Sequence, residues 1–521
     1  MRVRAPELPQ DAAWLNGEPL TLRSQRGKVV LLDFWTYGCI NCLHTLDDLH
    51  WLAQKYGSEL VILGVHTAKF EREQSPAAVA QAVARYGIDH PVLVDRDRTV
   101  WDQYAVKAWP TFVVIDPQGY VVATLAGEGQ RQRLDTLIQS LVASSETPAP
   151  GSLDFTERHE PFGSEAPAQD LGVLTPLSFP GKVLADASSK TLFIADTGHH
   201  RLVIAGLSDS EEGSTQANVQ TVIGTGQAGW HDGPWESAQF RDPQGLAYDA
   251  QRQVLYVADT GNHRVRQVDL ARQQVSTVAG TGTQSGTLFP HGGNAMEVAL
   301  NSPWDVVLVD EMLYVAMAGA HQIWQIDLHQ GRAQTLIGTG AEYCVDGPPE
   351  QAAFAQPSGL AYGNSCLCVA DSETSSIRTV ALTSPPLAHT LCGSGELFEF
   401  GDRDGAGLQA RLQHCLGVAW GDDSLWVADT YNHKIKRVNP GSGLCQRLCG
   451  SGQAGNQDGP FRGAQFSEPG GLAYTPGYLY VADTNNHAIR QIDLRSRTVS
   501  TLTFPTLCSP YVCLPNFPPK Y

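Results

Sequence analysis

The cysteines Cys39 and Cys42 are the first residues of the sequence whose type and spacing could carry chemistry. The thiolate of the first can attack a disulfide in another molecule, and the second thiol can then attack the mixed disulfide and release the partner. A four-cysteine zinc site would need a second pair nearby, and no other cysteine occurs before Cys344. The spacing therefore predicts thiol–disulfide exchange without a metal.

The segments around this pair predict how it is held. An apolar run over 28–35 is typical of a strand buried on both faces, and leucines at helical spacing predict a helix over 41–56. Cys39 would then lie at a helix N-terminus, where unpaired N–H groups and the helix dipole stabilise a thiolate. Further strands are predicted over 59–67, 91–95, 110–116 and 121–127, and helices from Ser75-Pro76 onward and over 130–143. Strands alternating with helices predict an α/β domain.

Residues on both sides of the pair resemble the thioredoxin superfamily, more closely its thiol-reductase branch. Asp33 stands six residues before Cys39, where thioredoxins have a buried acid that helps to deprotonate the second cysteine, and Trp35 follows it. The segment Trp109-Pro110-Thr111 resembles the cis-proline segment that packs against the reactive pair. The resemblance implies that Asp33 manages the proton, and that Trp35, Trp109, Pro110 and Thr111 shape the substrate groove.

Some residues depart from the thioredoxin pattern. Gly38 replaces the usual tryptophan, and Ile40-Asn41 replaces Gly-Pro between the cysteines, so neither the direction of electron flow nor the substrate follows from the resemblance. Thr36-x-x-Cys39 is similar to part of the peroxiredoxin pattern, but Leu32 stands where that pattern has proline, which disfavours a peroxidase.

Several ionisable residues near the pair also have a purely structural interpretation. Asp33 could be a buried carboxylate whose hydrogen bonds are all satisfied and which has no catalytic duty. His44 and His66 are expected to be structural or exposed rather than reactive.

The sequence after residue 175 repeats a motif in which Val-Ala-Asp-Thr is followed by Asn-His and a basic residue. The aspartate or its replacement recurs at intervals of 63, 58, 54, 58 and 54 residues, at Asp196, Asp259, Met317, Asp371, Asp429 and Asp483. Each repeat contains four short strand signals. Six repeats of four strands predict a six-bladed β-propeller.

These repeats resemble the NHL repeat over 176–505, with Met317 and Ser375-Ser376 as the main departures. The histidines that recur after the aspartate could be imagined as a ring of ligands: His200, His263, His321, His433 and His487. We expect them instead to pack between blades, while the aspartates bind the N–H groups of a tight turn. No cofactor or metal is predicted.

Composition and charge restrict the class of protein. The net charge is −18, to which residues 1–150 contribute −3, from 14 basic against 17 acidic residues, and the remainder −15. An acidic surface disfavours nucleic-acid binding. The N-terminal segment does not have the pattern of a secretory signal, and no stretch of 18 apolar residues predicts a membrane span. We therefore expect a cytoplasmic protein whose thiols are mostly reduced.

The predicted organisation is a thioredoxin-like domain over 1–146, a linker over 147–175 rich in proline, glycine and acidic residues, a propeller over 176–505 and a proline-rich tail over 506–521. Cys508 and Cys513 in this tail are the one propeller-side pair that we would test for exchange with the redox centre. The other propeller cysteines are expected to be small buried residues.

This arrangement is similar to the NHL-repeat-containing protein two family across nearly the whole chain. The leading hypothesis is a thiol–disulfide oxidoreductase in which Cys39 attacks, Cys42 resolves and the propeller docks a protein client or other ligand. It implies a protein thiol or disulfide client, an electron-donating reductase and a protein partner on the propeller face. The alternatives are a non-enzymatic scaffold and a redox sensor whose partner binding changes on oxidation.

Overall fold

The computed structural model describes residues 2–145, 174–207, 215–286 and 292–511. Those up to residue 145 and those from residue 174 belong to two separate compact units. Most of the predicted linker lies outside the described residues, and so do residues 512–521, including Cys513. The exact domain boundaries therefore stay a prediction.

The first unit is a seven-stranded sheet with helices. Its strands are β1 (Val3–Arg4), β2 (Ala13–Leu15), β3 (Val29–Trp35), β4 (Leu60–His66), β5 (Val92–Val94), β6 (Thr111–Ile115) and β7 (Tyr120–Ala126). Its helices are α1 (Ile40–His44), α2 (Leu46–Tyr56), α3 (Pro76–Arg85), α4 (Thr99–Gln103) and α5 (Arg131–Ser145). The strand order is β1-β7-β6-β3-β4-β5-β2, with β3, β4 and β5 parallel and the remaining pairs antiparallel.

The central strand β3 is buried along its whole length, because its seven residues are covered on both faces of the sheet. The helix predicted over 41–56 is interrupted at Thr45, whose hydroxyl donates to the Cys42 carbonyl, so α1 and α2 are separate. Ser75 precedes α3 as predicted, but its side chain makes no capping hydrogen bond. The edge strands β1 and β2 were not predicted, because two or three residues carry no periodic signal.

The second unit contains six sheets, which confirms the predicted six-bladed propeller. The first blade consists of β8 (Lys182–Asp186), β9 (Thr191–Asp196), β10 (Arg201–Leu207) and β11 (Ala217–Ile223). The second consists of β12 (Gly233–Pro234), β13 (Pro243–Asp249), β14 (Val254–Asp259), β15 (Arg264–Asp269) and β16 (Gln274–Ala279). The third consists of β17 (Gly293–Asn294), β18 (Pro303–Val309), β19 (Met312–Met317), β20 (Gln322–Asp327) and β21 (Arg332–Ile337).

The fourth blade consists of β22 (Pro357–Gly363), β23 (Cys366–Asp371), β24 (Ser376–Ala381) and β25 (Leu387–Cys392). The fifth consists of β26 (Gly405–Ala406), β27 (Gly417–Gly421), β28 (Ser424–Asp429), β29 (Lys434–Val438) and β30 (Leu444–Cys449). The sixth consists of β31 (Gly459–Pro460), β32 (Pro469–Thr475), β33 (Tyr478–Asp483), β34 (Ala488–Asp493) and β35 (Thr498–Thr501). Four blades thus add a two-residue strand to the four that were predicted, and in each it pairs with the outermost long strand.

The ring closes between the sixth blade and the first. The Thr503 N–H donates to the Thr215 carbonyl at 2.7 Å, and the Ala217 N–H donates to the Thr503 carbonyl at 3.0 Å, beside the start of β11. Leu507 is buried in the same hydrophobic cluster as residues of β8 and β33. The described part of the tail therefore continues to pack on the propeller.

Candidate functional site

Cys39 and Cys42 lie in the turn and first helix that follow the central strand. Cys39 immediately precedes α1, and its carbonyl accepts the N–H groups of Cys42 at 3.1 Å and Leu43 at 3.2 Å. Cys39 is partly exposed, whereas Cys42 is 1% exposed, and both are free thiols. The first sulfur is therefore accessible to a partner, and the second lies beneath it.

The Cys42 thiol is held in its protonated form by its surroundings. Burial raises its pKa well above the usual range, and its hydrogen bond to the Cys39 side chain and the charges of Cys39 and Asp33 raise it further, against a smaller lowering by the Thr36 backbone. Its hydrogen bond to Cys39 puts the two sulfurs within reach of each other. Cys42 therefore needs a proton acceptor before it can attack a mixed disulfide.

Asp33 is a buried carboxyl whose charge acts on the Cys42 thiol. It lies in the middle of β3, 1% exposed, with Gly64 and Phe112 opposite it on the neighbouring strands. Burial raises its pKa to about 8, and its Oδ1 has no hydrogen-bond partner among the described residues. The alternative interpretation, a carboxylate whose hydrogen bonds are all satisfied, does not agree with this geometry.

Three aromatic rings in mutual contact support the turn before Cys39. The Trp35 ring meets His66 edge-on at 5.0 Å between centroids, and Tyr37 stacks on His66 at 5.5 Å. Burial lowers the pKa of His66 to about 3, so its imidazole is neutral. His66 is thus structural, as expected, and Trp35 lies beneath the turn with only 1% of its surface exposed.

The segment from Trp109 to Thr111 reaches the same end of the sheet. The Trp109–Pro110 peptide bond is cis, and Thr111 pairs with Phe34, so Pro110 lies one residue further, beside the end of β3. The Trp109 ring packs on Trp101 at 4.4 Å and is partly exposed. The fold therefore brings the cysteine turn and the cis-proline segment, which are 67 residues apart at their nearest, to neighbouring strand ends.

Glu73 is a residue of this site that the sequence analysis missed. It is fully buried in the loop before α3, and its Oε1 accepts the Gly38 N–H at 3.1 Å. Its Oε2 accepts the N–H groups of Lys69 at 2.7 Å and Phe70 at 3.0 Å. Burial raises the pKa of Glu73, and these N–H groups together with a hydrogen bond from the Thr36 side chain act in the opposite direction. No local pattern distinguishes Glu73 from its exposed neighbour Glu71.

His44 contacts an acid across the domain. Its Nδ1 lies 2.5 Å from Glu128, in the loop between β7 and α5, which links α1 to that loop. Within the described residues, no group of three or more histidine, cysteine, aspartate or glutamate side chains could hold a metal ion.

The recurring histidines of the propeller share the same hydrogen bond to the next blade. Each accepts, through Nδ1, a backbone N–H at 3.0–3.2 Å from a residue directly before the first long strand of the next blade or, for Phe179, three residues before it. The pairs are Asp242 to His200, Ser302 to His263, Gln356 to His321, Glu468 to His433 and Phe179 to His487. In the fourth blade the Ser375 hydroxyl takes this role and accepts the His414 N–H at 3.0 Å. The histidines are therefore inter-blade contacts, as predicted, and not a ring of ligands.

The recurring aspartates bind a buried cation as well as turn N–H groups. Asp483, for example, accepts from the Ser467 N–H and forms an ion pair with Arg490 at 2.7 Å. The third blade replaces this pair with two apolar residues, Met317 and Trp324, both buried. Trp324 donates its indole N–H to Gln322 at 2.9 Å. The replacement of the aspartate by Met317 is thus accompanied by the replacement of its cationic partner by Trp324 in the same blade.

An ion pair lies between the inner strands of the propeller. Lys182 at the start of β8 contacts Asp305 of β18 at 2.5 Å, and both side chains are buried. These strands belong to the first and third blades, so the pair links inner strands that are not neighbours in the ring. The Asp305 carboxylate also accepts the Leu360 N–H at 2.9 Å. The inner surface at this level is thus occupied by the protein's own side chains.

The propeller thiols are mostly buried, as expected. Cys368, Cys392, Cys415, Cys445 and Cys449 are free and buried, and Cys344 and Cys366 are free and partly exposed. Cys508 is disulfide-bonded, which departs from the expectation of reduced thiols. Exchange between the tail pair and the redox centre concerns Cys513 as well, which lies outside the described residues.

No helix among the described residues is long and apolar enough to cross a membrane.

Comparison with known proteins agrees with this architecture. Residues 27–121 match a family model described as thioredoxin-like, and residues 240–268 match the NHL repeat. Bacillus subtilis YkuV, named a thiol–disulfide oxidoreductase, is 27% identical over 146 residues, which cover 28% of this chain and 99% of YkuV. The first domain is thus similar to a protein that consists of such a domain alone.

Two longer relatives match almost the whole chain. The chloroplastic protein SUPPRESSOR OF QUENCHING 1 of Arabidopsis thaliana is 43% identical over 503 residues, 94% of this chain, and the chain spans 46% of that protein's length. NHL repeat-containing protein 2 of Bos taurus is 41% identical over 531 residues, covering 95% of this chain and 71% of the bovine protein. With a thioredoxin-like domain, a six-bladed propeller and this degree of identity, the chain belongs to the NHL repeat-containing protein 2 family.

Proposed function

We propose that this protein is a thiol–disulfide oxidoreductase that uses Cys39 as its nucleophile and Cys42 as its resolving thiol. The observation that carries the proposal is a partly exposed cysteine hydrogen-bonded to a buried one, whose thiol is acted on by the charge of a buried carboxyl with a pKa of about 8. A buried acid titrating near neutral pH is suited to accept and return a proton under physiological conditions.

The exchange proceeds in two steps. The Cys39 thiolate attacks one sulfur of a client disulfide, a Cys39–client disulfide forms, and the other client sulfur leaves as a thiolate. Asp33 then takes the Cys42 proton, and the Cys42 thiolate attacks the Cys39 sulfur. This forms the Cys39–Cys42 disulfide and releases the second client sulfur. The client gains two electrons from the pair. A dithiol reductase must then supply two electrons of its own to reduce the Cys39–Cys42 disulfide again.

The neighbouring residues bind and orient the client. Trp109, partly exposed at the strand end beside the cysteine turn, borders an extended client segment, and the buried Pro110 and Thr111, whose backbone groups pair with neighbouring residues, hold Trp109 in place and shape the groove. Trp35 acts from beneath, by supporting the turn through its contact with His66. The names of the relatives YkuV and ResA, both thiol–disulfide oxidoreductases, support this activity.

The propeller serves as the docking module for a protein client. Its acidic composition favours partners other than nucleic acids. A ligand in the inner channel is disfavoured at the level of Lys182 and Asp305, whose ion pair occupies it. A cytoplasmic location stays a prediction, and the plant relative is named as chloroplastic.

The test is mixed-disulfide trapping with the full chain. In Cys42→Ser the first step can occur but the second cannot, so Cys39-linked clients should accumulate when the variant is incubated with a peptide disulfide. Cys39→Ser should trap none, and Cys368→Ser, a buried propeller thiol, should behave like the wild-type protein. If Cys42→Ser forms no adduct and the wild-type chain reduces no model disulfide, the proposed activity is wrong and a scaffold role takes its place.

A further inference from the structure

Glu73 is a buried carboxylate that the proposed exchange does not use. Three backbone N–H groups, from Gly38, Lys69 and Phe70, point at its two oxygens at 2.7–3.1 Å. N–H groups can only donate, so they require oxygens that accept, which is the ionised form of the carboxyl. A neutral carboxylic acid would turn one of these oxygens into a hydroxyl, which is a weaker acceptor for the same donors.

This carboxylate joins two segments at the same end of the sheet. Gly38 immediately precedes Cys39 in the turn after β3, and Lys69 and Phe70 follow β4, the parallel neighbour of β3. The carboxylate therefore fixes the backbone of the residue next to the nucleophile. Gly38 is also one of the positions at which this sequence departs from the thioredoxin pattern.

The charge of Glu73 has a predictable effect on the cysteine couple. A negative charge held in a buried position near Cys39 disfavours a second negative charge on that sulfur. A couple whose reduced form contains a less stable thiolate has a disulfide that is comparatively more stable. Such a couple is a stronger reductant.

We infer that Glu73 is a positioning residue that fixes the turn before Cys39 and shifts the Cys39–Cys42 couple towards reduction of its clients. The inference rests on the proposed function, because it assigns a direction to the same exchange. Glu73 acts in this role through the backbone N–H groups that it accepts, and the Thr36 side chain also hydrogen-bonds it.

The test is the equilibrium of the full chain with a series of glutathione buffers, followed by alkylation and mass spectrometry of the Cys39–Cys42 peptide. Glu73→Gln should shift the equilibrium constant at least tenfold towards the dithiol form, which corresponds to about 30 mV for this two-electron couple. Glu71→Gln is the matched control, since it makes the same change at an exposed position two residues away. It should leave the constant unchanged within twofold.

Folding of the variants is read from Cys42, which is buried and should resist alkylation in the native reduced protein. If Glu73→Gln exposes Cys42 to alkylation, Glu73→Asp is measured in place of Glu73→Gln. Glu73→Asp keeps the charge, so its equilibrium constant should stay within threefold of the wild-type value. The inference is wrong if Glu73→Gln folds and matches Glu71→Gln, if Glu73→Asp shifts the constant tenfold, or if both Glu73 variants unfold. A wild-type chain that forms no reversible disulfide would instead overturn the proposed function itself.

Discussion

Replacing Asp33 with asparagine should stabilise the reduced redox domain while slowing its chemistry. The carboxyl has a pKa of about 8 in the folded protein, against 3.8 for the unperturbed group, because it is buried. A carboxyl with a raised pKa in the folded state is compatible with folding at low pH, where it is neutral in both states. It becomes destabilising as the pH rises, because the unfolded chain then binds fewer protons. Asparagine has nearly the same shape and carries no charge to bury.

The size of the effect follows from the two pKa values. Linkage gives Asp33→Asn an advantage of roughly 2 kcal/mol at pH 5 that grows to roughly 6 kcal/mol at pH 9, as an upper bound for a fully buried group. The same change should slow the second step of exchange, since general acid–base groups contribute about 100- to 10,000-fold. Greater stability and lower activity are thus expected from one substitution.

The assay is urea unfolding of the reduced full chain at pH 5 and pH 9, with pulsed hydrogen exchange of the β3 peptides as the signal for this domain. Asp47→Asn, on the exposed side of α2, is the control and should change stability little at either pH. The prediction is that the advantage of Asp33→Asn grows by at least 2 kcal/mol between the two pH values. An advantage that is equal at both, or a loss of stability at pH 9, would refute the argument that Asp33 is buried at an energetic cost.

Two further predictions concern the propeller. His433→Ala removes the acceptor of the Glu468 N–H and should cost about 1–3 kcal/mol of propeller stability by urea unfolding. His433→Ser should cost less, because Ser375 fills this role in the fourth blade. His329→Ala, at an exposed position, is the control and should cost nothing. Equal losses for all three would contradict the inter-blade role. Asp483→Ala leaves Arg490 without one of its two carboxylates and should cost about 3–5 kcal/mol. The combined change Asp483→Met, Ala488→Gln and Arg490→Trp, copied from the third blade, should recover at least half of that loss in the same assay; no recovery would mean that the apolar pair depends on its own blade.

The longer elements of the redox domain could be predicted because each of them carries its own local signal, whereas β1, β2 and α4 are too short to carry one. Each signal can be recognised within a short stretch of sequence, as in the apolar run of β3, the helical spacing after Cys42 and the Trp-Pro-Thr segment. The break at Thr45 could not be predicted, since leucines continue at helical spacing across it. It depends on the Thr45 hydroxyl bonding the Cys42 carbonyl in place of a continuous helix.

The contribution of Glu73 was beyond sequence reasoning for a different reason. Its partner Gly38 lies 35 residues earlier, and a carboxylate that binds backbone N–H groups leaves no complementary residue type for a pattern to detect. Asp33 was found only because its distance from Cys39 resembled a known family. Glu73, whose partners are mostly backbone groups, is therefore the buried acid of this site that the sequence does not reveal.

The propeller repeats could be predicted in number and approximate position because the same turn recurs. The sequence predicts that the recurring histidines pack between blades, but not that each accepts an N–H from the next blade. Ser375 of the fourth blade departs from the repeat in sequence, yet its hydroxyl has the same role. The third blade shows the opposite case, in which Met317 and Trp324 change together across two strands. Paired changes of this kind are invisible without spatial information.

The pairing of Thr503 beside β11 has a consequence for synthesis of the chain. The first blade is made about 290 residues before the segment that covers the start of its outer strand. Until translation reaches that segment, the backbone N–H and C=O groups of Thr215 and Ala217 lack these partners, and an unpaired strand edge is a template for association with other chains. Products that stop before residue 503 should therefore be more prone to aggregate than their composition suggests, although the redox domain, which emerges first, can already be folded.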